Sequence, residues 1–176
     1  GATFSVPVPI NGNGHTFKII GEINDGFNYL AVFRPEADAT FKNLTVDMSE
    51  AVAVFQKRFS VIASKTGNLT VNNCTFIGSE NATNARAIIF GEVGSAVVDF
   101  SKTAINVDNC TFKNFKYGVT DNLNGNDVAS VVVTDSEFTN SSVNVSASEE
   151  IVITNNTFED STITVNGKDV KILSDK

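Results

Sequence analysis

An all-β chain of stacked parallel coils is predicted by three features of this sequence. The first is one short pattern repeated four times in the second half. It reads Leu69-x-Val71-x-Asn73-Cys74-x-Phe76, Ile105-x-Val107-x-Asn109-Cys110-x-Phe112, Val131-x-Val133-x-Asp135-Ser136-x-Phe138 and Ile151-x-Ile153-x-Asn155-Asn156-x-Phe158. The second is the apolar alternation that leads into each Asn or Asp, the period of a half-buried strand. The third is the unequal spacing of the closing Phe residues around a constant motif, which describes a fixed cross-section with insertions in some turns. One such unit cannot bury its own apolar face, so the units must stack.

The elements follow in chain order. Thr3–Ile10 carries Pro7 and Pro9, which suits an edge strand or a cap. A weaker copy of the motif, Ala39-Thr40-Phe41-Lys42-Asn43-Leu44, precedes the four strong ones. A second stacked strand is expected after each closing Phe, aligning Leu30–Phe33, Val52–Phe55, Ile88–Gly91, Tyr117–Thr120, Val143–Ser146 and Ile163–Asn166 with first and third residues inward. A third strand is expected before each motif, as in Ser60–Ala63 and Ala96–Asp99. The last segment, Gly167–Lys176, alternates charged and apolar residues and reads as a final edge strand protected by Lys. Three short parallel strands per coil make a parallel β-helix, of roughly seven coils and about 34 Å in length at the spacing of neighbouring strands. The whole of residues 1–176 reads as one such domain. Its abrupt opening at Gly1-Ala2-Thr3-Phe4 reads as a piece cut from a longer secreted or surface protein.

The Val/Ile-x-Asn-Asn/Cys-x-Phe motif and the opening Ile10-Asn11-Gly12-Asn13-Gly14-His15-Thr16-Phe17 resemble right-handed parallel β-helices of the pectin-lyase-like superfamily. The resemblance covers nearly the whole chain; it is specific for the fold and not for any activity. It implies a hydrogen-bonded ladder of stacked side chains at Asn73, Asn109, Asp135 and Asn155, with Cys74 and Cys110 beside it. Asn suits that place because it tolerates left-handed backbone and its amide both donates and accepts.

Composition narrows the functions. A formal net charge of −7, with Lys57-Arg58 the only basic pair, argues against nucleic acid. No apolar run approaches a membrane span. Cys74 and Cys110 read first as small buried thiols, with a disulfide as the alternative; neither has a Cys or His at ligand spacing, so no metal and no cofactor is expected. His15 reads as a turn residue, since the Gly-His-Gly of hydrolases with this fold is not present.

Two outward patches are candidate binding residues. Arg34, Lys57, Arg58, Glu92, Asp121 and Asn122 are expected near one edge of successive coils, as a solvated rim or, alternatively, the base and clamp of a lyase acting on uronates. Phe33, Phe55 and Ile89 form an outward apolar stripe for a partner, unless a one-residue slip turns them inward. The expected function is a non-catalytic β-helix module of a bacterial secreted or cell-surface protein. It would serve as an adhesin-like binder of polysaccharide or of a cell-surface partner, or as a spacer. The alternative is a small lyase or hydrolase on acidic polysaccharide, which the negative charge disfavours.

Overall fold

The structure, a computed structural model, describes residues 2–23, 29–53, 58–81, 84–91, 99–121 and 127–173. The strands are β1 (Ala2–Phe4), β2 (Val8–Asn11), β3 (Thr16–Lys18), β4 (Gly21–Ile23), β5 (Tyr29–Pro35) and β6 (Ala39–Lys42). Then come β7 (Thr45–Asp47), β8 (Ala51–Ala53), β9 (Arg58–Ser64), β10 (Leu69–Asn72), β11 (Thr75–Ile77) and β12 (Arg86–Phe90). The remainder are β13 (Ala104–Asp108), β14 (Thr111–Asp121), β15 (Val128–Thr134), β16 (Glu137–Thr154), β17 (Thr157–Glu159) and β18 (Ile163–Leu173). They wind into a right-handed parallel β-helix, all-β as the periodicity predicted.

Three files of stacked strands make its walls. The first runs β2, β6, β10, β13, β15, the C-terminal half of β16 and the end of β18. The second runs β3, β7, β11, the start of β14, the start of β16, and β17. The third runs β1, β5, β9, β12, the end of β14, the middle of β16 and the start of β18. Strands β4 and β8 pair separately.

The repeated motif builds the corner between the first two files. Its apolar residues point inward as columns, Leu69–Ile105–Val131–Ile151 and Val71–Val107–Val133–Ile153, all buried. Its Asn or Asp then takes a positive φ, between 50° and 58° at Asn73, Asn109, Asp135 and Asn155, and turns the chain. The closing Phe residues enter the core directly above one another. Phe76, Phe112, Phe138 and Phe158 stack with centroids 5.3, 4.7 and 4.8 Å apart and planes within 12°. Burial of such columns, at about 25 cal/mol per Å² of apolar surface, is the main stabilising term.

The third file departs in part from the expected register. Strand β5 pairs with β9 through Leu30↔Phe59 and Phe33↔Ile62, so the segment at Ser60–Ala63 belongs to this file and does not precede the motif as a separate strand. Val52 lies in β8, whose partner is β4, and Tyr117 faces Arg86 while Val119 faces Ile88. The cause is a corner at which two consecutive residues both enter the core: Val61 with Ile62, Ala87 with Ile88. Phe33, which aligns with Ile62, is therefore one step out of phase with the sequence reading, whereas Ile88, Val143 and Ile163 stay in line as read, with Val119 in place of Tyr117 between them. At the same corner Gly118 leaves space for the aromatic stack; a Cβ there would lie 2.8 Å from the Phe138 ring.

Candidate functional site

The corner side chains are placed for structure. Asn43 donates to Asn11 at 3.1 Å, Asn73 to Asn43 at 2.7 Å and Asn109 to Asn73 at 3.3 Å. No side-chain bond extends this ladder to Asp135 or Asn155 among the described residues, although both keep the left-handed turn. A second Asn turn lies two residues after the closing Phe, at Asn114, Asn140 and Asp160, with Asn140 donating to Asn114 at 3.3 Å. The recurring Phe-x-Asn/Asp in the sequence was the signal for it. Cys74 and Cys110 are buried free thiols on adjacent coils. The neighbouring Cys74 thiol, together with burial, pushes the Cys110 thiol well up. The next coils carry Ser136 and Asn156 at this position, where Ser136 Oγ accepts from Cys110 N–H at 3.0 Å and Asn156 Oδ1 from Ser136 N–H at 2.8 Å.

The predicted apolar stripe does not form as expected. Phe33 points inward against the core, its ring 5.3 Å from Phe41 and 6.1 Å from Phe17, because the register slip carries it to the inner face. Ile89 keeps its outward parity opposite Ala63 and Thr120, yet all three are buried, Ile89 with only 2% of its surface exposed. Phe55, Lys57, Glu92 and Asn122 lie outside the described residues, as does the side chain of Arg58. Arg34 is half-buried on the outer side of β5, its Nε enclosed without a hydrogen-bond partner among the described residues. Its charge helps hold the Glu36 carboxyl below the usual range, an effect led by the hydrogen bond from Lys65 at 2.9 Å. Asp121 sits three strands further along the file, about 14 Å at the usual strand spacing, so the structure does not bring it to Arg34.

A different surface carries an open groove. Pro7, Val8, Pro9, Asp38, Ala39, Thr40, Asn68 and Thr70 line an open groove of about 340 Å³ on the outer side of the first file. Pro9, Thr40, Thr70 and Asn106 occupy the same outward position on successive strands. Asp38 is fixed by one oxygen, which accepts from Asn68 N–H at 2.8 Å; Asn68 is fixed by its Oδ1, which accepts from Ala104 N–H at 2.8 Å. No side-chain hydrogen bond engages the Thr40 and Thr70 hydroxyls, the second Asp38 oxygen or the Asn68 Nδ2 among the described residues.

The adjacent outward column is the opposite case. There Asn72 donates to Asp108 at 2.7 Å and Thr134 to the other Asp108 oxygen at 2.8 Å, closing the network on itself. Polar groups held by a rigid sheet but left without partners are poised to bond something else. Of the sequence candidates, none lies in this groove. Its members were missed because Asp38 and Asn68 meet only through coil stacking, and the two Thr read as ordinary strand residues.

No family model, curated protein or solved structure matches this chain.

Proposed function

We propose that the chain is a non-catalytic β-helix module that binds a neutral, hydroxyl-rich glycan along the groove walled by Pro7, Pro9, Asp38, Thr40, Asn68 and Thr70. The observation that carries the reading is the file of uncommitted hydroxyl and amide groups in an open groove, beside a column whose polar groups are already paired. Hydroxyls and amides both donate and accept, which suits the dense donor and acceptor pattern of a saccharide. The proline rings add apolar surface for the C–H faces of a sugar.

Among the described residues, Asp38 is the only ionisable one in the lining. Glycoside hydrolysis ordinarily takes two facing carboxylates, and a polyanionic substrate prefers a basic groove; both weigh against the lyase or hydrolase reading. The proposal places the module on a secreted or cell-surface protein, and the stacked Asn and Phe corner supports kinship with the pectin-lyase-like superfamily.

Glycan-array screening followed by titration calorimetry tests the reading. Neutral oligosaccharides should bind, and Thr40→Val with Thr70→Val should weaken binding on the order of tenfold or more, since each lost hydrogen bond is worth about 0.5–1.5 kcal/mol. Absence of binding to every neutral glycan, or unchanged affinity in the folded double variant, would refute it.

A further inference from the structure

Asp38 and Asn68 differ from the two Thr of the groove in offering hydrogen bonds of one direction only. Pro7, Asp38, Asn68 and Ala104 immediately precede the paired residues Val8, Ala39, Leu69 and Ile105 of neighbouring strands, so they form a column of their own beside Pro9, Thr40 and Thr70. Along this column a side chain caps the backbone of the next coil. Asp38 Oδ1 accepts from Asn68 N–H and Asn68 Oδ1 from Ala104 N–H, both at 2.8 Å. A backbone N–H is met only by an acceptor, so the bond to Ala104 fixes which way round the Asn68 amide lies. Among the described residues no side-chain bond engages what is left of the pair. That remainder is Asn68 Nδ2, which donates, and the second Asp38 carboxylate oxygen, which accepts.

Both residues are also held by their backbones. Asn68 C=O accepts from Ala39 N–H at 2.9 Å and Asp38 C=O from Val8 N–H at 3.1 Å. Gly67, at φ 83°, packs so closely on the neighbouring coil that a Cβ there would stand 2.5 Å from Ala37 C and Asp38 N. Side chains on neighbouring coils stand about 4.8 Å apart. One oxygen about 2.9 Å from each group would then see them at an angle of about 112°. That is the angle at which a hydroxyl oxygen accepts one hydrogen bond and donates another.

We propose, resting on the reading of the groove as a glycan site, that Asp38 and Asn68 are its specificity pair. They hold one unsubstituted sugar hydroxyl between them, which accepts from Asn68 Nδ2 and donates to the free oxygen of Asp38. A ligand atom must do both to satisfy the pair. An ether or ester oxygen has no proton to give Asp38, and an ammonium has no lone pair for Asn68. A uronate carboxylate would meet Asp38 with like charge. Either failure leaves one of the two groups unpaired, which is how such a site rejects the wrong ligand.

The class selected is a neutral glycan whose hydroxyl at this place carries no methyl, acyl or glycosidic substituent. Thr40 and Thr70 add affinity without imposing a direction, because a hydroxyl turns to donate or accept as its partner requires. The stiffness of the Asp38–Asn68 pair serves the choice, since groups held in place lose little freedom on binding and cannot turn to suit another ligand.

Exchanging the two residues tests the direction. Asp38→Asn keeps an oxygen for Asn68 N–H but turns the free acceptor into a donor. Asn68→Asp keeps an oxygen for Ala104 N–H but turns the free donor into an acceptor. Each single variant sets two like groups against the hydroxyl; the double variant restores one of each in reverse order, with the net charge unchanged. Titration calorimetry with cellohexaose, xylohexaose and mannohexaose reads the affinities, and thermal melts check folding. For a hexaose that binds the wild-type chain, each single variant should weaken binding by about tenfold or more, and the double variant should recover most of the loss. If one single variant does not fold, the other and the double variant make the comparison. Folded single variants that bind as tightly as the wild type would overturn the specificity pair, as would a double variant weaker than either single one. Weakened binding in Thr40→Val with Thr70→Val would in that case leave the groove reading standing. Absence of binding by all three hexaoses would also overturn the pair, and the groove reading would then stand or fall by the glycan array.

Discussion

Substituting Asn73 separates the two reasons for an Asn at the corner. The residue holds φ at 51° and bridges two coils, donating to Asn43 at 2.7 Å and accepting from Asn109 at 3.3 Å. Asn73→Gly removes both bonds and leaves the left-handed backbone free of strain. Both bonds are solvent-exposed, and the second is long, so together they contribute about 1 kcal/mol, and the greater freedom of Gly in the unfolded chain costs roughly 0.5–1 kcal/mol more. Asn73→Ala removes the same bonds and adds a left-handed penalty of about 1–2 kcal/mol. The Ala variant should therefore be destabilised by about 2–3 kcal/mol and the Gly variant by about 1–2 kcal/mol. In a chain of this length each kcal/mol lowers Tm by roughly 2–4 °C, well within reach of a thermal melt followed by circular dichroism. Asn73→Gly proving as damaging as Asn73→Ala would show that the ladder, and not the backbone, dictates the residue. The chain already hints at the answer: Asp135 holds the same turn at φ 50° with a carboxylate that cannot donate.

Two further outcomes follow from the core and from the carboxylates. Gly118→Ala would put a methyl group 2.8 Å from the Phe138 ring and 3.1 Å from Phe112, and should cost about 1–3 kcal/mol in urea denaturation; an unchanged midpoint would mean that the stack yields freely. Acid should weaken the fold, because three carboxyls titrate below their ordinary values: Glu36 through the hydrogen bond from Lys65, Asp47 through the Ser49 hydroxyl and Asp99 through Ser101. A depressed folded-state pKa gives stability that is complete above the unfolded value and lost as pH falls through the folded one. Tm should hold down to about pH 4.5, the ordinary value for Glu36, and decline below it, with a shallower decline in Glu36→Gln. A Tm that rises between pH 4.5 and 3 would contradict the assignment.

The first two walls were legible because each coil marks its corner with two chemically distinct residues. Only Asn, Asp or Gly takes the left-handed turn cheaply, and the Phe that follows must enter the core to stack. The third wall has no such marker. Its corner admits Val61 with Ile62 and Ala87 with Ile88, so the period of two breaks where the alignment needed it. That is why Phe33 was read as outward while its ring lies against Phe41. The groove was illegible for another reason. What makes it a candidate is that no side-chain hydrogen bond among the described residues engages the hydroxyls of Thr40 and Thr70 while Asn72, Asp108 and Thr134 have found one another, and partner choice is a property of stacking across coils, not of local sequence.

Pro9 shows how a groove wall and a sheet edge constrain a single residue. It occupies the outward position that Thr40 and Thr70 hold on the next two strands, so a Thr there would lengthen the hydroxyl file of the groove. A Thr would also restore an N–H on the side of β2 that faces away from β6, and with it one more rung for an incoming strand. The proline ring gives up the hydroxyl but keeps a wall for the groove and denies the rung. At the other end Lys171, in the same column, has its N–H engaged with β16, so its long charged side chain alone guards the outer face. The Pro9 ring thus trades one hydroxyl of the groove for a stretch of β2 that offers no donor on the side away from β6.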